Sequence, residues 1–251
     1  MADQLATGIQ WVVDDSTGAI TGYRRKINGV DTSFALDAEA IQSPASGVAE
    51  DVADFAALLA VPSPSLGERR RTIAAPFAGG TEFLQWVYTS SGWRLASIQT
   101  LLEDTSATAG VAQTAEQVLA SISIPAGMLL RIRRMRIVWN VTRSGTTDAM
   151  TTRLRLGASG TVTDTMLALD SGLTTLRTRG VEHVGGAVSP TIWRYAHNSI
   201  SGWGVGANTG TVAPNDTTVA SMAAAIKLSI TASMAGATDA PTLAALSIQG
   251  A

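Results

Sequence analysis

The stretch MLLRIRRMRIVWNV, Met128–Val141, decides how the rest of the chain is read. Leu130 and Ile132 share one parity, while Met135, Ile137, Trp139 and Val141 share the other. Apolar residues at period two mark a strand with one face buried. Such a strand cannot change faces midway without exposing its core side. The switch across Arg133-Arg134 therefore predicts a β-bulge there, one extra residue that restores the register.

The same period continues on both sides. Upstream, Val118, Ala120, Ile122 and Ile124 alternate and stop at Pro125-Ala126-Gly127. Downstream, Leu154 and Leu156 alternate with Arg153 and Arg155 as far as Gly157. Weaker strand patterns run over 162–169 and 174–184. Thr191, Trp193 and Tyr195 then face one way, and Ile192 and Arg194 the other. After a Gly-rich loop around Trp203, Ala224, Ile226, Leu228, Ile230 and Ala232 alternate with Lys227, Ser229, Thr231 and Ser233, and Ala244, Leu246 and Ile248 close the series. Half-buried strands with no helices between them predict an antiparallel β-sandwich, with the two-sheet jelly roll as its expected form. No long internal repeat, solenoid or heptad period is apparent.

The first part of the chain reads differently. Ile9, Trp11 and Val13, then Ile20 and Tyr23, then Val30, Thr32 and Phe34 form short strand patterns around the turn signals Ser16-Thr17-Gly18 and Asn28-Gly29. They predict two linked hairpins or a three-stranded meander, too small to stand alone. Val48, Val52, Phe55 and Leu59 recur at helical spacing, capped at Ser46 or Gly47 and ended by Pro62 and Pro64, which predicts a helix of roughly three turns. SPSLGERRR reads as an exposed linker. TEFLQWVYTSSGWRLAS reads as a hairpin with Phe83, Gln85 and Val87 on one face, and Leu84, Trp86 and Tyr88 on the other. Aromatics on both faces suggest cover on both, and a neighbouring subunit is one way to supply the second. Residues 99–115 read as a connector. The chain is thus mainly β in four segments: an N-terminal hairpin segment (1–40), a short helix and linker (41–75), a small β-hairpin unit with its connector (76–110), and a C-terminal jelly-roll-like sandwich (111–251).

Composition narrows the function. In 251 residues there is no Cys, which removes disulfides and thiolate metal sites. The net charge of −2 gives no electrostatic case for nucleic acid or an anionic membrane. No stretch reaches the roughly 18 apolar residues of a spanning helix, and MADQLATGIQ lacks the basic and apolar regions of a signal peptide. Only 15% of residues are charged. Uncharged polar faces desolvate cheaply, which favours association with further copies of the chain.

No constellation for catalysis emerges. No Ser sits in a GxSxG elbow, and GWGVGANTG lacks the strand–turn–helix context of a phosphate loop. Asp148, Asp164, Asp170, Glu182, Asp216 and Asp239 mostly lie among turn residues, where loop roles are usual. His183 and His197 lack metal-ligand spacing. The expectation is a non-enzyme without cofactor or metal. The Arg-rich strands read first as the solvated face of a sheet, with a subunit interface through Arg131, Arg133, Arg153 and Arg155, or an anionic ligand, as further readings. Trp193, Tyr195 and Trp203 cluster near the Gly-rich loop. They belong either to the core or an interface, or to a surface that stacks on sugar rings.

Three stretches carry a resemblance: TAEQVLASISIPAGMLLRIRRMRIVWNV, TTRLRLGASG and IKLSITASMAGATDAPTLAALSIQGA. They resemble the C-terminal β-sandwich of fibre and spike proteins of tailed bacteriophages, including tail-fibre, head-fibre and collar-spike domains. The matching segments are Leu119–Gly127, Leu130–Trp139 and Leu154–Gly157, and the resemblance covers residues 76–251. It implies a structural virion protein assembled in the host cytoplasm: a homotrimer whose N-terminal part docks on portal, collar, tail or capsid proteins and whose sandwich faces outward to host-surface polysaccharide. On that reading Trp11, Tyr23 and Phe34 are the virion-docking candidates. A capsid decoration protein without a receptor role, or a carbohydrate-binding or hydrolysing protein, are the alternatives.

Overall fold

Period-two patterning in the first residues becomes a three-stranded antiparallel meander, β1 (Ile9–Val13), β2 (Ile20–Ile27) and β3 (Val30–Ala35), in the order β1-β2-β3. The computed structural model describes residues 9–13, 20–27, 30–35, 50–171, 178–201 and 215–251. Both turn signals, Ser16-Thr17-Gly18 and Asn28-Gly29, lie outside the described residues. The meander belongs to one unit, Met1–Val48, and the rest of the chain to a second, Ala49–Ala251.

The second unit begins with β4 (Glu50–Val52), α1 (Phe55–Leu59), β5 (Arg69–Thr72), β6 (Leu84–Thr89) and β7 (Gly92–Leu95). The strands form one sheet, β4-β5-β6-β7, with β4 parallel to β5. The helix is shorter than the spacing predicts. Val52 lies in β4, because Glu50 and Asp51 sit opposite Arg70 and Arg71 in the ladder and pair with them. The helix starts only at Phe55, after Asp54 accepts from Ala57 N at 2.8 Å as N-cap. It buries Phe55 and Leu58 and leaves Leu59 exposed. Val48, Ser46 and Gly47 lie outside the described residues. The expected exposed linker is also corrected: its three arginines form β5. On the second face of the hairpin Arg71 stacks over the half-exposed Phe83 ring at 5.2 Å, and Gln85 is exposed.

Next come β8 (Gln99–Asp104), β9 (Thr108–Ala109), β10 (Gln117–Ile124), β11 (Met135–Arg143), β12 (Met150–Gly157) and β13 (Thr165–Ser171). The chain ends with β14 (Thr178–Ser189), β15 (Ile192–Ser201), β16 (Asn215–Thr218), β17 (Ile226–Met234) and β18 (Pro241–Gly250). One sheet has the order β10-β17-β12-β13 and the other β16-β15-β14-β11-β18-β8, with β9 also on β18. All their pairings are antiparallel. The fold is mainly β. The chain passes repeatedly from one sheet to the other, as in a jelly-roll-like sandwich. The presumed connector is not one: β8 extends the larger sheet as a partner of β18.

The deciding stretch also departs from expectation. Leu129–Arg131 is a single 3-10 turn, and the strand starts at Met135. Between them the backbone N–H groups of Arg133 and Arg134 both donate to the Ala251 carbonyl oxygen, at 2.7 and 3.1 Å. There is no bulge at Arg133-Arg134. The parity switch marks the join between a turn, which buries Leu129 and Ile132, and a new strand. The bulge in the β11–β18 pair lies at Asn140/Val141.

A short repeat sits at the crossovers between sheets. Gly145-Thr146-Thr147-Asp148-Ala149 follows β11, and Gly236-Ala237-Thr238-Asp239-Ala240 follows β17, with the two aspartates 91 positions apart. The structure lays the two loops on each other. Thr147 N and Asp148 N donate to Asp239 Oδ2 (2.8 and 2.9 Å), and Thr238 N and Asp239 N donate to Asp148 Oδ2 (2.8 and 3.0 Å). Ser144 N donates to Ala240 O, and Ala235 N to Ala149 O. A Cβ on Gly145 would collide with Asp239 Oδ1, and one on Gly236 with Asp148 Oδ1, so each motif needs its glycine to admit the other's aspartate. The exchange extends into the strands. β11 pairs with β18 while β12 pairs with β17, so two arches related by an approximate twofold interlock.

One core joins the small sheet and the sandwich. Trp86, Leu84 and Leu58 belong to the same buried cluster as Ile137, Trp139, Leu154, Leu228 and Ile248. Each fully buried tryptophan spends its N–H on a neighbour: Trp86 on Thr72 Oγ1 (3.3 Å), Trp139 on Thr152 Oγ1 in the opposite sheet (3.3 Å), Trp193 on His183 Nε2 (3.1 Å).

Candidate binding surface

Trp193 and Tyr195 reach their positions on β15 because the strand runs beside β14, whose Gly185 leaves room for the Trp193 indole. Trp193 is 1% exposed. Its ring stacks on His183 with centroids 6.2 Å apart and belongs to the core. It offers no face to a sugar, which corrects its assignment as a glycan contact. Tyr195 is half-buried, with its ring 5.9 Å from His183. His183 is fully buried and accepts the Trp193 N–H, so its Nε2 serves as a hydrogen-bond acceptor in the core. Trp203 lies outside the described residues. On the exposed side of the same strands, Arg194 pairs with Asp216 through two bonds of 2.6 and 2.8 Å. That bond, then the charge of Asp216, raises the Arg194 pKa.

The arginines proposed for a subunit interface do not form one group. Arg131 and Arg133 lie at the 3-10 turn before β11, while Arg153 and Arg155 lie on β12 in the other sheet, so the two pairs are not cross-strand neighbours. Arg153 and Arg155 converge on Glu116, a residue the sequence reading had not singled out. Arg155 makes a two-pronged contact with it at 2.7 and 2.8 Å, and Arg153 lies 3.5 Å away. Thr231 also donates to Glu116. The carboxylate they need is thus in their own chain. Arg131 donates to the Ser91 carbonyl oxygen at 2.9 Å, while Arg133 is exposed.

Electrostatics give this face a pH dependence. Burial pushes the Glu116 carboxyl up, but hydrogen bonds from Arg155 and Thr231 and the charges of Arg153 and Arg155 outweigh it and hold the pKa below its ordinary value. Asp164 behaves alike: burial raises it, and bonds from Ser159, Gly160 and Thr161 outweigh that and hold it below its ordinary value. A carboxylate depressed in the folded state contributes stability above its unfolded pKa and loses it as pH falls through the folded one. Melting temperature should therefore fall as pH drops below about 4.5, the ordinary value for Glu116. Glu116→Gln should lower the melting temperature at pH 7 and flatten that decline. A parallel pH profile for the variant would show that Glu116 is not its source.

The N-terminal candidates are brought together by register. Trp11 is opposite Tyr23, and Tyr23 is opposite Phe34, so the three positions fall in one register row across the meander. Among the described residues no group of three metal-ligating side chains converges, and no helix is long and apolar enough to cross a membrane.

No family model and no curated protein matches the chain. Among solved structures it is similar to a protein of unknown function from Shewanella oneidensis MR-1, at 9% identity over 62% of this chain and 75% of that one, with a TM-score of 0.32. It is also similar to the CBM2 module of the evolved Dit of Lactobacillus casei BL23 phage J-1 (10% identity, 62% and 80% covered, TM-score 0.27). A third is lectin I from Ulex europaeus, in complex with a methyl glycoside of α-L-fucose (8% identity, 66% and 89% covered, TM-score 0.29). At this level of similarity nothing about ligands or partners transfers.

Proposed function

We propose that this chain is a non-enzymatic structural protein of a tailed-phage virion, a homotrimeric fibre or spike. Its N-terminal unit anchors it to other virion proteins, and its β-sandwich faces host-surface glycans. The observation that carries the reading is the placement of the three phage-like stretches. Leu119–Gly127 runs along β10 into its turn, Leu130–Trp139 leads into β11, and Leu154–Gly157 ends β12, so the resemblance follows three consecutive strands of one sandwich. The aromatic row of Trp11, Tyr23 and Phe34, on a unit of its own, supports the anchoring role. For glycan contact, Tyr195 and Trp203 remain once Trp193 is assigned to the core.

Two measurements test it. Gold-labelled antibody to the chain should decorate phage particles in electron micrographs, and the purified chain should weigh three protomers by native mass spectrometry. On an array of host-surface polysaccharides, Trp203→Ala should weaken binding roughly tenfold or more, the loss expected of an aromatic anchor. Unlabelled particles would end the virion reading, and array binding untouched by Trp203→Ala and Tyr195→Ala would end the aromatic contact.

A further inference from the structure

Most described arginines on this molecule have carboxylates to meet: Arg70, Arg136, Arg153, Arg155 and Arg194 each lie within ion-pair distance of one. Arg94, Arg131 and Arg133 have none among the described residues, and they share one neighbourhood. Arg94 sits in β7 between buried Trp93 and Leu95, so its side chain leaves from the opposite face. There its Nη1 donates to the Leu130 carbonyl oxygen of the 3-10 turn. Arg131, on the same turn, reaches back to Ser91 O and lies over Gly92, two residues before Arg94 and on the same face of β7. Arg133 follows, exposed to solvent. Within this group the Arg94 Nε is buried and has no acceptor.

A buried donor without an acceptor is rare in folded proteins and asks for an occupant. Like charges at close range without a counter-charge ask for the same occupant. Planar guanidinium forks match the oxygens of carboxylate, phosphate and sulfate groups, and neutral molecules leave the charge uncompensated.

We infer that Arg94, Arg131 and Arg133 form an oxyanion-binding site between β7 and the 3-10 turn, which takes the carboxylate, phosphate or sulfate group of an acidic saccharide. The Arg94 Nε has no open surface in the free chain, so the part-exposed Arg94 and Arg131 side chains shift to let one oxygen of the anion accept from it. Arg131 and Arg133 hold the others from the solvent side. Burial, and then the charges of Arg131 and Arg133, push the Arg94 pKa below its ordinary value, a displacement that a bound anion reverses. The oxyanion class stands on these residues alone; the saccharide that carries it rests on the adhesive reading above.

Titration calorimetry of the full chain tests the site, with inorganic phosphate, glucuronate, a glucuronate-containing oligosaccharide and a neutral glucan as ligands. Phosphate and both glucuronate ligands should bind, and the glucan should not displace them. Substituting Arg131→Gln and Arg133→Gln together should weaken binding about tenfold or more, since charge-assisted hydrogen bonds are lost. Arg136→Gln, whose guanidinium pairs with Glu182 elsewhere on the sandwich, should leave it unchanged. Arg94→Lys, which keeps the charge and removes Nε, should also weaken binding while the circular dichroism spectrum stays that of the parent. Absence of binding by every oxyanion, or equal binding by the double variant, would overturn the site. Phosphate binding without either glucuronate ligand would overturn the saccharide assignment. Neutral host glycans bound equally by parent and variants, with no oxyanion bound by either, would overturn this site and leave the adhesive reading standing.

Discussion

Asp239→Ala should lower the unfolding free energy by about 3–5 kcal/mol, the cost of removing one partner of a buried charged group. The carboxylate accepts from two backbone N–H groups, Thr147 and Asp148, and lies 3.9 Å from the buried Arg143 guanidinium. Alanine leaves both donors without their acceptor, in a loop with little water to replace it. Asp148→Ala strips Thr238 and Asp239 in the same way and should cost somewhat less, about 2–4 kcal/mol, because the Arg143 contact to Asp148 is through its backbone carbonyl oxygen. The two losses should not add. Each aspartate holds the loop that presents the other, so the double variant should fall short of the sum by about 0.5–3 kcal/mol. Urea unfolding followed by far-ultraviolet circular dichroism measures all three. A loss under about 1 kcal/mol for Asp239→Ala would refute the clamp.

Trp139→Ala and Trp86→Ala should each cost about 3–5 kcal/mol, and both should move one and the same unfolding transition. Trp139 spans the two sheets, and Trp86 fills the space between the small sheet and α1, with its ring 5.2 Å from Phe55. Both are fully buried. The small sheet has its own strands, which invites the picture of a separate module. The core contradicts that picture. Gly250 of β18 packs so closely on Leu95, Leu101 and Ile132 that a Cβ there would sit 2.8 Å from the Leu95 Cδ1. Gln85 and Gln99 exchange hydrogen bonds of 2.8 and 2.7 Å between the small sheet and β8. Arg94 and Arg131 tie β7 to the 3-10 turn in both directions. A two-step melt of Trp86→Ala, with tryptophan fluorescence changing before the bulk of the strand signal, would show the small sheet to be independent after all.

Much of the sandwich could be read from period alone. β12 and β18 fall where alternation puts them, with one face in the core; β17 does too but also buries Ser229 and Thr231 on its other face, and β10 shifts register so that Leu119 is buried and Val118 exposed. The reading failed where an interaction distant in sequence overrode a local pattern. Val52 fits a helical spacing, but charge pairs across 20 positions hold its segment in a strand. The parity switch at Arg133-Arg134 looks like a bulge until the Ala251 carbonyl oxygen, far along the chain, is seen to anchor that corner. For Trp193 the sequence leaves core and surface both open, because its strand is flanked by Gly and polar residues. Its burial depends on His183 across the ladder.

The candidate site was less legible for the same reason. Arg94 and Glu116 carry no motif. Their meaning lies in Leu130, 36 positions on, and in Arg155, 39 positions on. The crossover clamp did leave a mark, the recurrence of Gly-x-Thr-Asp-Ala at Gly145 and Gly236. It is too short to register as a repeat, and its sense depends on knowing that the loops touch.

The interlocked arches also bear on how the chain reaches this state. Neither crossover loop can satisfy its own backbone donors, since each borrows its acceptor from a loop 91 positions away. No local nucleus is therefore complete. The search must bring two distant stretches into register before either gains its hydrogen bonds, and such long-range closure slows folding. Going the other way, one arch cannot peel off without releasing both. The sandwich should thus be slow to form and slow to come apart, with its persistence set by a barrier as much as by an equilibrium.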